Sequence, residues 1–152
     1  MSKAGIDISN EAVSKFMALA KKHKIYVNGV VADITTFETA ERYDLIICTT
    51  MLHLIDKELI PSVIRKMKSY TKSGGINLLT VFTKDDIGLR EHPELYFFGD
   101  DELKAMYEDW QILENECYTK SETHGEPHEH HICALMAIKL PTSSPKNPYP
   151  AC

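Results

Sequence analysis

The chain has 152 residues, of which 43% are hydrophobic and 26% are charged, and its formal net charge is -5. This composition is typical of one globular domain with a buried core. A net negative charge without clustered Lys and Arg argues against a nucleic-acid-binding surface, and we predict no nucleic-acid partner. No stretch reaches the roughly 18 apolar residues of a membrane span and the N-terminus has no apolar signal core, so we predict a cytoplasmic protein without a membrane partner.

The cysteines also predict a cytoplasmic location. Cys48, Cys117, Cys133 and Cys152 are scattered and form no CxxC pair. Two of them, Cys48 and Cys133, lie inside apolar runs. The pattern predicts reduced and mostly buried thiols.

The first part of the chain alternates strands with helices. Residues 5–9 and 30–34 are predicted strands, and apolar residues recur with helical spacing over 10–23. Ser9 or Asn10 is the predicted N-cap of that helix. Strand alternating with helix predicts a parallel sheet.

The later segments extend this α/β pattern. A third strand is predicted over 43–48, helices over 57–70 and 100–110, and a strand over 76–82 after a Gly-Gly turn. The last two predicted strands, 111–119 and 130–140, form an antiparallel hairpin. We assign one domain to residues 1–140 and a disordered tail to the proline-rich residues 141–152.

The order and spacing of these segments resemble the class I S-adenosylmethionine (SAM) dependent methyltransferases. The end of the chain resembles their tellurite-resistance (TehB-like) branch. The resemblance is carried by Gly5-Ile6-Asp7-Ile8, by Ala32-Asp33-Ile34 and by the run from Tyr43 to Leu54. It implies a Rossmann-like, mostly parallel sheet with an antiparallel C-terminal hairpin, and SAM as the cofactor. It also implies a small soft nucleophile as methyl acceptor, such as tellurite, selenite or a thiol.

The resemblance also assigns cofactor contacts. Asp7 would accept hydrogen bonds from both ribose hydroxyls, because a carboxylate offers two acceptor oxygens. Asp33 would meet the adenine amino group and Ile34 would cover the ring. The predicted cofactor-binding residues are Asp7, Ile8, Asp33, Ile34, Thr49, Met51 and Leu52. The alternative roles are a turn or helix-capping aspartate for Asp7 and a core side chain for Leu52.

Histidines are concentrated near the C-terminus. Four of the seven lie within eight residues: His124, His128, His130 and His131. By resemblance, His124 and His128 are the predicted catalytic residues, which would polarise or deprotonate the acceptor because histidine titrates near neutral pH. Such a cluster also suits zinc or another divalent metal, but the spacing matches no closed structural site and we assign none. A surface loop without chemistry is the third interpretation.

The family's first strand and glycine-rich cofactor loop would precede Gly5, where the sequence has four residues. We therefore predict an N-terminally truncated sheet. Either the Gly5 strand pairs directly with the Asp44 strand or the chain completes its sheet as a homo-oligomer, because unpaired strand edges are costly; a gene fragment is the third possibility. Without that loop, the alternative functions are a catalytically inactive methyltransferase-like binding or regulatory domain, or a metal-binding module.

Overall fold

The computed structural model describes residues 3–123 and 128–141. The chain divides into two compact units, Met1–Tyr43 and Asp44–Cys152. His124 and nearly all of the proline-rich tail lie outside the described residues. Among the helices of the described ranges, none is both long and apolar enough to cross a membrane.

The first unit is a strand-helix-strand arrangement. Strand β1 (Ala4–Asp7) and strand β2 (Asn28–Val31) pair in parallel, and helix α1 (Asn10–Lys22) connects them. The Ser9 hydroxyl accepts the Ala12 N–H at 3.2 Å, which caps the first turn of α1. The predicted helix and its Ser9 cap are confirmed. Both predicted strands are present with shifted bounds: β1 ends two residues before the predicted end, and β2 begins two residues before the predicted start and ends at Val31.

Glycines let α1 lie directly on the backbone of this sheet. A Cβ atom at Gly5 would lie 2.7 Å from the Phe16 ring, and one at Gly29 would lie 2.8 Å from the Met17 side chain. Both distances are shorter than ordinary Cβ contacts, so the Phe16 or Met17 side chain would have to shift if either glycine were replaced.

The second unit contains a four-stranded sheet in the order β3-β4-β6-β5. The strands are β3 (Tyr43–Thr49), β4 (Thr71–Phe82), β5 (Gln111–Glu122) and β6 (His128–Ile138). Strand β6 runs antiparallel to both β4 and β5. The predicted antiparallel C-terminal hairpin is confirmed, and both of its strands extend further toward the connecting loop than the sequence indicates.

Strands β3 and β4 run in the same direction. Near their starts, the Asp44 carboxylate lies 2.9 Å from the Lys72 ammonium. Just after the end of β3, the Thr50 N–H donates to the Thr80 carbonyl at 2.9 Å. The unit therefore combines a parallel pair with an antiparallel hairpin, which confirms the predicted α/β class.

The predicted pairing of the Gly5 strand with the Asp44 strand is wrong. Within the described ranges, β1 pairs with β2 and β3 pairs with β4, in separate sheets. Completion of the sheet by self-association stays a prediction.

Strand β4 begins at Thr71, five residues earlier than predicted, so the Gly-Gly turn is also a wrong prediction. Gly74 has a φ of 76°, which glycine adopts without strain. Its N–H donates to the Lys139 carbonyl at 2.8 Å, and the Lys139 N–H donates to Gly75 at 2.9 Å. These bonds extend the ladder with β6, so the two glycines continue the strand instead of ending it.

Helices cover this sheet unevenly. Helix α2 (Ile60–Tyr70) follows a single 3₁₀ turn at Lys57–Leu59 and agrees with the predicted helix. Helix α3 is Gly88–Glu91, and helix α4 is only Glu102–Ala105. The predicted helix over 100–110 is wrong beyond that turn, because the Lys68 ammonium binds the Met106 carbonyl at 3.1 Å and the chain turns there toward β5.

Two of the cysteines are bonded to each other, contrary to the prediction of reduced thiols. Cys117 on β5 and Cys133 on β6 lie directly opposite in the strand register, with Cα atoms 4.0 Å apart, and form a disulfide. The sequence does not predict this pairing, because the two cysteines are brought together only by the register of β5 and β6. Cys48 is a free, buried thiol as predicted.

Candidate functional site

Asp7 ends β1, and its carboxylate is only partly engaged. Oδ1 accepts the Ser9 N–H at 2.8 Å, an Asx turn that leads into α1. Among the described residues, Oδ2 has no hydrogen-bond donor. The residue is exposed, and the next side chain, Ile8, is 73% exposed. Asp7 thus fulfils its alternative structural role with one oxygen and keeps the second available to a ligand.

Asp33 follows the end of β2. Its Oδ1 accepts both the N–H and the hydroxyl of Thr35, each at 2.8 Å. Ile34 beside it is partly exposed. Because Asp7 is in register with Val31 in a parallel pair, Asp7 and Asp33 lie at the same carboxyl-end edge of the sheet. The structure therefore brings these two predicted residues together.

A small pocket lies beside Asp7 under the first turns of α1. It measures about 170 Å³ and is lined by Gly5, Ile6, Asp7, Ala12, Val13 and Phe16. Pockets that enclose a drug-sized ligand usually have at least about 300 Å³. The pocket can hold a fragment of a ligand next to the Asp7 carboxylate, and it is too small to enclose a whole nucleoside cofactor.

The residues after β3 adopt a strained turn. Thr50 has a φ of 44°, which is rare for a β-branched residue. Its N–H donates to both the carbonyl and the hydroxyl of Thr80, at 2.9 and 3.2 Å, and these bonds hold the strained backbone. Thr49 is exposed, Met51 is partly exposed and Leu52 is completely buried. Such strain is concentrated at functional sites, and Leu52 packs as a core residue does.

Three rings line the end of β4. The centroid of Phe82 lies 4.8 Å from that of His53 and 4.7 Å from that of His130. The Nδ1 atom of His53 is buried and has no hydrogen-bond partner among the described residues. Burial lowers the pKa of His53, the Asp86 carboxylate opposes this effect, and His130 lowers the pKa further. Burial therefore favours the neutral form of His53.

Asp86 anchors the start of β6. Its side chain is 1% exposed. Oδ2 accepts the backbone N–H of His131 at 2.7 Å and the Nδ1–H of His130 at 3.1 Å, while Oδ1 accepts the Gly88 N–H at 2.7 Å. Thr83 Oγ1 lies 2.6 Å from Nδ1 of His131. These bonds fix the orientation of both imidazoles.

Of the two predicted catalytic histidines, His128 lies within the described residues. His128 opens β6, and its ring is perpendicular to that of His130 with centroids 4.8 Å apart. His124 lies outside the described residues. Sequence reasoning placed His53 only within the family-like run after β3, and it missed Asp86 and the individual role of His130. For Asp86 the only signal was the aspartate pair Asp85-Asp86, shortly after a predicted strand.

These features are those of a Rossmann-like domain with carboxylates at the ends of its parallel strands. A family model described as tellurite resistance protein TehB matches residues 2–131. The chain belongs to this family, which confirms the resemblance.

Known relatives agree with this assignment. The chain is 31% identical over 134 residues to the probable S-adenosyl-L-methionine-dependent methyltransferase TehB of Haemophilus influenzae, covering 85% of this chain and 45% of the relative. The chain thus spans about half the length of that curated relative.

Solved structures share the fold. The crystal structure of TehB from Haemophilus influenzae has a TM-score of 0.76 at 22% identity, covering 91% of this chain and 50% of that one. The N-methyltransferase NodS from Bradyrhizobium japonicum, in complex with S-adenosyl-L-homocysteine (SAH), has a TM-score of 0.68 at 18% identity, covering 90% and 66%. The predicted Rossmann-like methyltransferase fold is therefore confirmed.

Proposed function

We propose that the chain acts as a SAM-dependent methyltransferase of the tellurite-resistance type. The observation that carries the proposal is the Asp7 carboxylate, which ends a parallel strand before a helix and keeps Oδ2 available to a ligand. Membership of the TehB family and the similarity to the probable S-adenosyl-L-methionine-dependent methyltransferase of Haemophilus influenzae support it. The acceptor we propose is a small soft nucleophile, namely tellurite, selenite or a thiol.

The residues at the edge of the first unit fit the nucleoside part of SAM. Asp7 offers one carboxylate oxygen to a ribose hydroxyl, and the neighbouring pocket accepts part of a ligand. Ile8 and Ile34 offer apolar surface to an adenine ring, while Asp33 supplies a carboxylate beside it. SAM would supply a methyl group on a sulfonium, which is already a strong electrophile.

The second unit contains the other predicted cofactor-binding residues, Thr49, Met51 and Leu52. Thr49 and Met51 are accessible after β3, beside the strained turn at Thr50. Methyl transfer needs mainly in-line alignment of the acceptor, the methyl group and the leaving sulfur. His124 and His128 are the residues we propose for binding and polarising the acceptor. A cytoplasmic location and self-association of the chain belong to the same proposal.

A catalytically inactive binding domain is the second candidate function. One observation favours it. The pocket beside Asp7 has a volume of about 170 Å³, which is too small to enclose a whole nucleoside cofactor. A domain of this kind would bind SAM or SAH weakly and transfer no methyl group.

The test is transfer of labelled methyl from SAM to tellurite, selenite and a panel of thiols. We expect a product with at least one acceptor and a loss of at least tenfold in kcat/KM in Asp7→Ala. Asp101→Ala is the matched control, because that aspartate has an 84% exposed side chain in a surface ion pair and should change the rate less than twofold. Protein that binds SAH but transfers no methyl to any acceptor would favour the inactive domain.

A further inference from the structure

Three potential metal ligands meet where β5 and β6 approach their connecting loop. Glu122, the last residue of β5, lies directly opposite His128, the first residue of β6. His130 is two residues further along β6, so its side chain lies on the same face as that of His128. Cross-strand and i, i+2 neighbours of this kind bring side chains into contact.

The ligand atoms are already close together. One carboxylate oxygen of Glu122 and one ring nitrogen from each of His128 and His130 all lie within 4.8 Å of one another. Ligand atoms around a tetrahedral zinc ion are roughly 3.3–3.5 Å apart, given bond lengths of about 2.0–2.1 Å. Small side-chain rotations on two paired strands are sufficient to close the remaining gap.

Asp86 prepares His130 for this role. Its buried Oδ2 accepts the Nδ1–H of His130 at 3.1 Å, which leaves Nε2 as the nitrogen that can bind a cation. Metal-binding histidines usually donate their other N–H to a carboxylate in this way, which fixes the tautomer and raises the basicity of the ligand nitrogen. The Phe82 ring packs against the same imidazole and limits its rotation.

The fourth histidine of the sequence cluster points elsewhere. His131 alternates with His130 on the strand, so it lies on the other face. Its Nδ1 is 2.6 Å from the Thr83 hydroxyl. Of the three histidines of this cluster that the structure describes, His128 and His130 share a face with Glu122, a carboxylate that the sequence did not indicate.

One cation competes for this carboxylate. The Lys120 ammonium lies 2.6 Å from Oε1 of Glu122, and the Glu122 side chain is 29% exposed. A bound metal would have to share or displace this ion pair. Removing the Lys120 charge should therefore increase the affinity for the metal. If Glu122 has only a structural role, the same substitution should not increase that affinity.

We propose that Glu122, His128 and His130 bind a divalent transition metal such as Zn²⁺. Two imidazoles and one carboxylate are a ligand set that zinc accepts while keeping a fourth position open to water or an anion. The site shares His128 with the proposed acceptor contacts, but binding of Zn²⁺ can be measured without SAM and without methyl transfer, so the failure of one proposal leaves the other testable.

The experiment is a competitive Zn²⁺ titration of the full chain, purified without a polyhistidine tag and without reductant. We expect His128→Ala and His130→Ala each to weaken binding at least tenfold and Glu122→Gln to weaken it measurably. His92→Ala is the matched control, because His92 is an exposed histidine paired with Glu94, and it should change affinity less than twofold. Lys120→Gln should tighten binding. Circular dichroism checks folding, and His130→Gln replaces His130→Ala if the latter does not fold.

Co²⁺ spectroscopy identifies the ligand atoms. The other potential metal-binding group in the described ranges, Asp100 with Cys117 and Cys133, has its sulfur atoms joined in a disulfide. A histidine-carboxylate site gives visible Co²⁺ absorption without thiolate charge-transfer bands. Unchanged affinity in His128→Ala or His130→Ala, no tightening in Lys120→Gln, or a thiolate spectrum would each overturn the proposal.

Discussion

Asp86 and His130 are 44 residues apart in sequence, yet Oδ2 of the first accepts the Nδ1–H of the second at 3.1 Å. This bond ties the turn after β4 to the beginning of β6. The same carboxylate satisfies two backbone N–H groups, so a single buried side chain fixes the positions of Gly88 and His131. The histidine-bearing end of the hairpin depends on this residue.

Replacing Asp86 with alanine should lower the free energy of unfolding by about 2–4 kcal/mol, because three partly buried donors lose their acceptor. Urea denaturation monitored by fluorescence measures the change. Asp85→Ala is the matched control, since Asp85 is exposed, and should cost less than about 0.5 kcal/mol. Equal effects of the two substitutions would show that the Asp86 bonds contribute no net stability.

Tyr107→Phe should destabilise the second unit through a buried amide. The Tyr107 hydroxyl accepts a hydrogen bond from Nδ2 of Asn77 at 2.9 Å, and both side chains are completely buried. The substitution leaves the Asn77 donor unpaired, at a cost of about 1–3 kcal/mol. Tyr118→Phe, at a 39% exposed position, should be nearly neutral in the same unfolding experiment. A Tyr107→Phe protein as stable as Tyr118→Phe would refute the role of this bond.

The Cys48 thiol should be unreactive in the folded protein. Burial raises its pKa from 9.0 to about 12, so at pH 9 only about 0.1% is thiolate, compared with half of the unfolded form. The raised pKa stabilises the fold fully below pH 9, and this contribution is lost as the pH rises from 9 to about 12.

Alkylation by iodoacetamide at pH 9 checks this prediction. In a Cys152→Ser background, folded protein should react several hundredfold more slowly than protein unfolded in urea. Folded and unfolded rates within tenfold of each other would show that Cys48 is accessible.

The sequence was sufficient to predict those helices and strands that are specified by residues close together in the chain. Helix α1 follows from its apolar spacing and the Ser9 cap, and the C-terminal hairpin follows from two strand-like segments on either side of a polar loop. The positions of Asp7 and Asp33 at the end of neighbouring strands also follow from strand-helix-strand order. Each of these predictions depends on residues close together in the chain.

The errors arose where distant residues decide the local structure. The predicted helix over 100–110 ends early because Lys68, far away in sequence, takes the Met106 carbonyl. Gly74 and Gly75 looked like a turn, but Lys139 pairs with both and continues the strand. The disulfide of Cys117 and Cys133 and the Asp86–His130 bond likewise depend on strand register, which composition and spacing do not reveal.

The most direct test of the central claim is calorimetric titration of SAH into the purified chain, with its mass measured by light scattering. We predict micromolar affinity that weakens at least tenfold in Asp7→Ala, about 1.4 kcal/mol or more, with Asp101→Ala within twofold of the unsubstituted protein. Well-folded protein that does not bind SAH, or an Asp7→Ala variant that binds it equally well, would contradict the claim that Asp7 holds the cofactor.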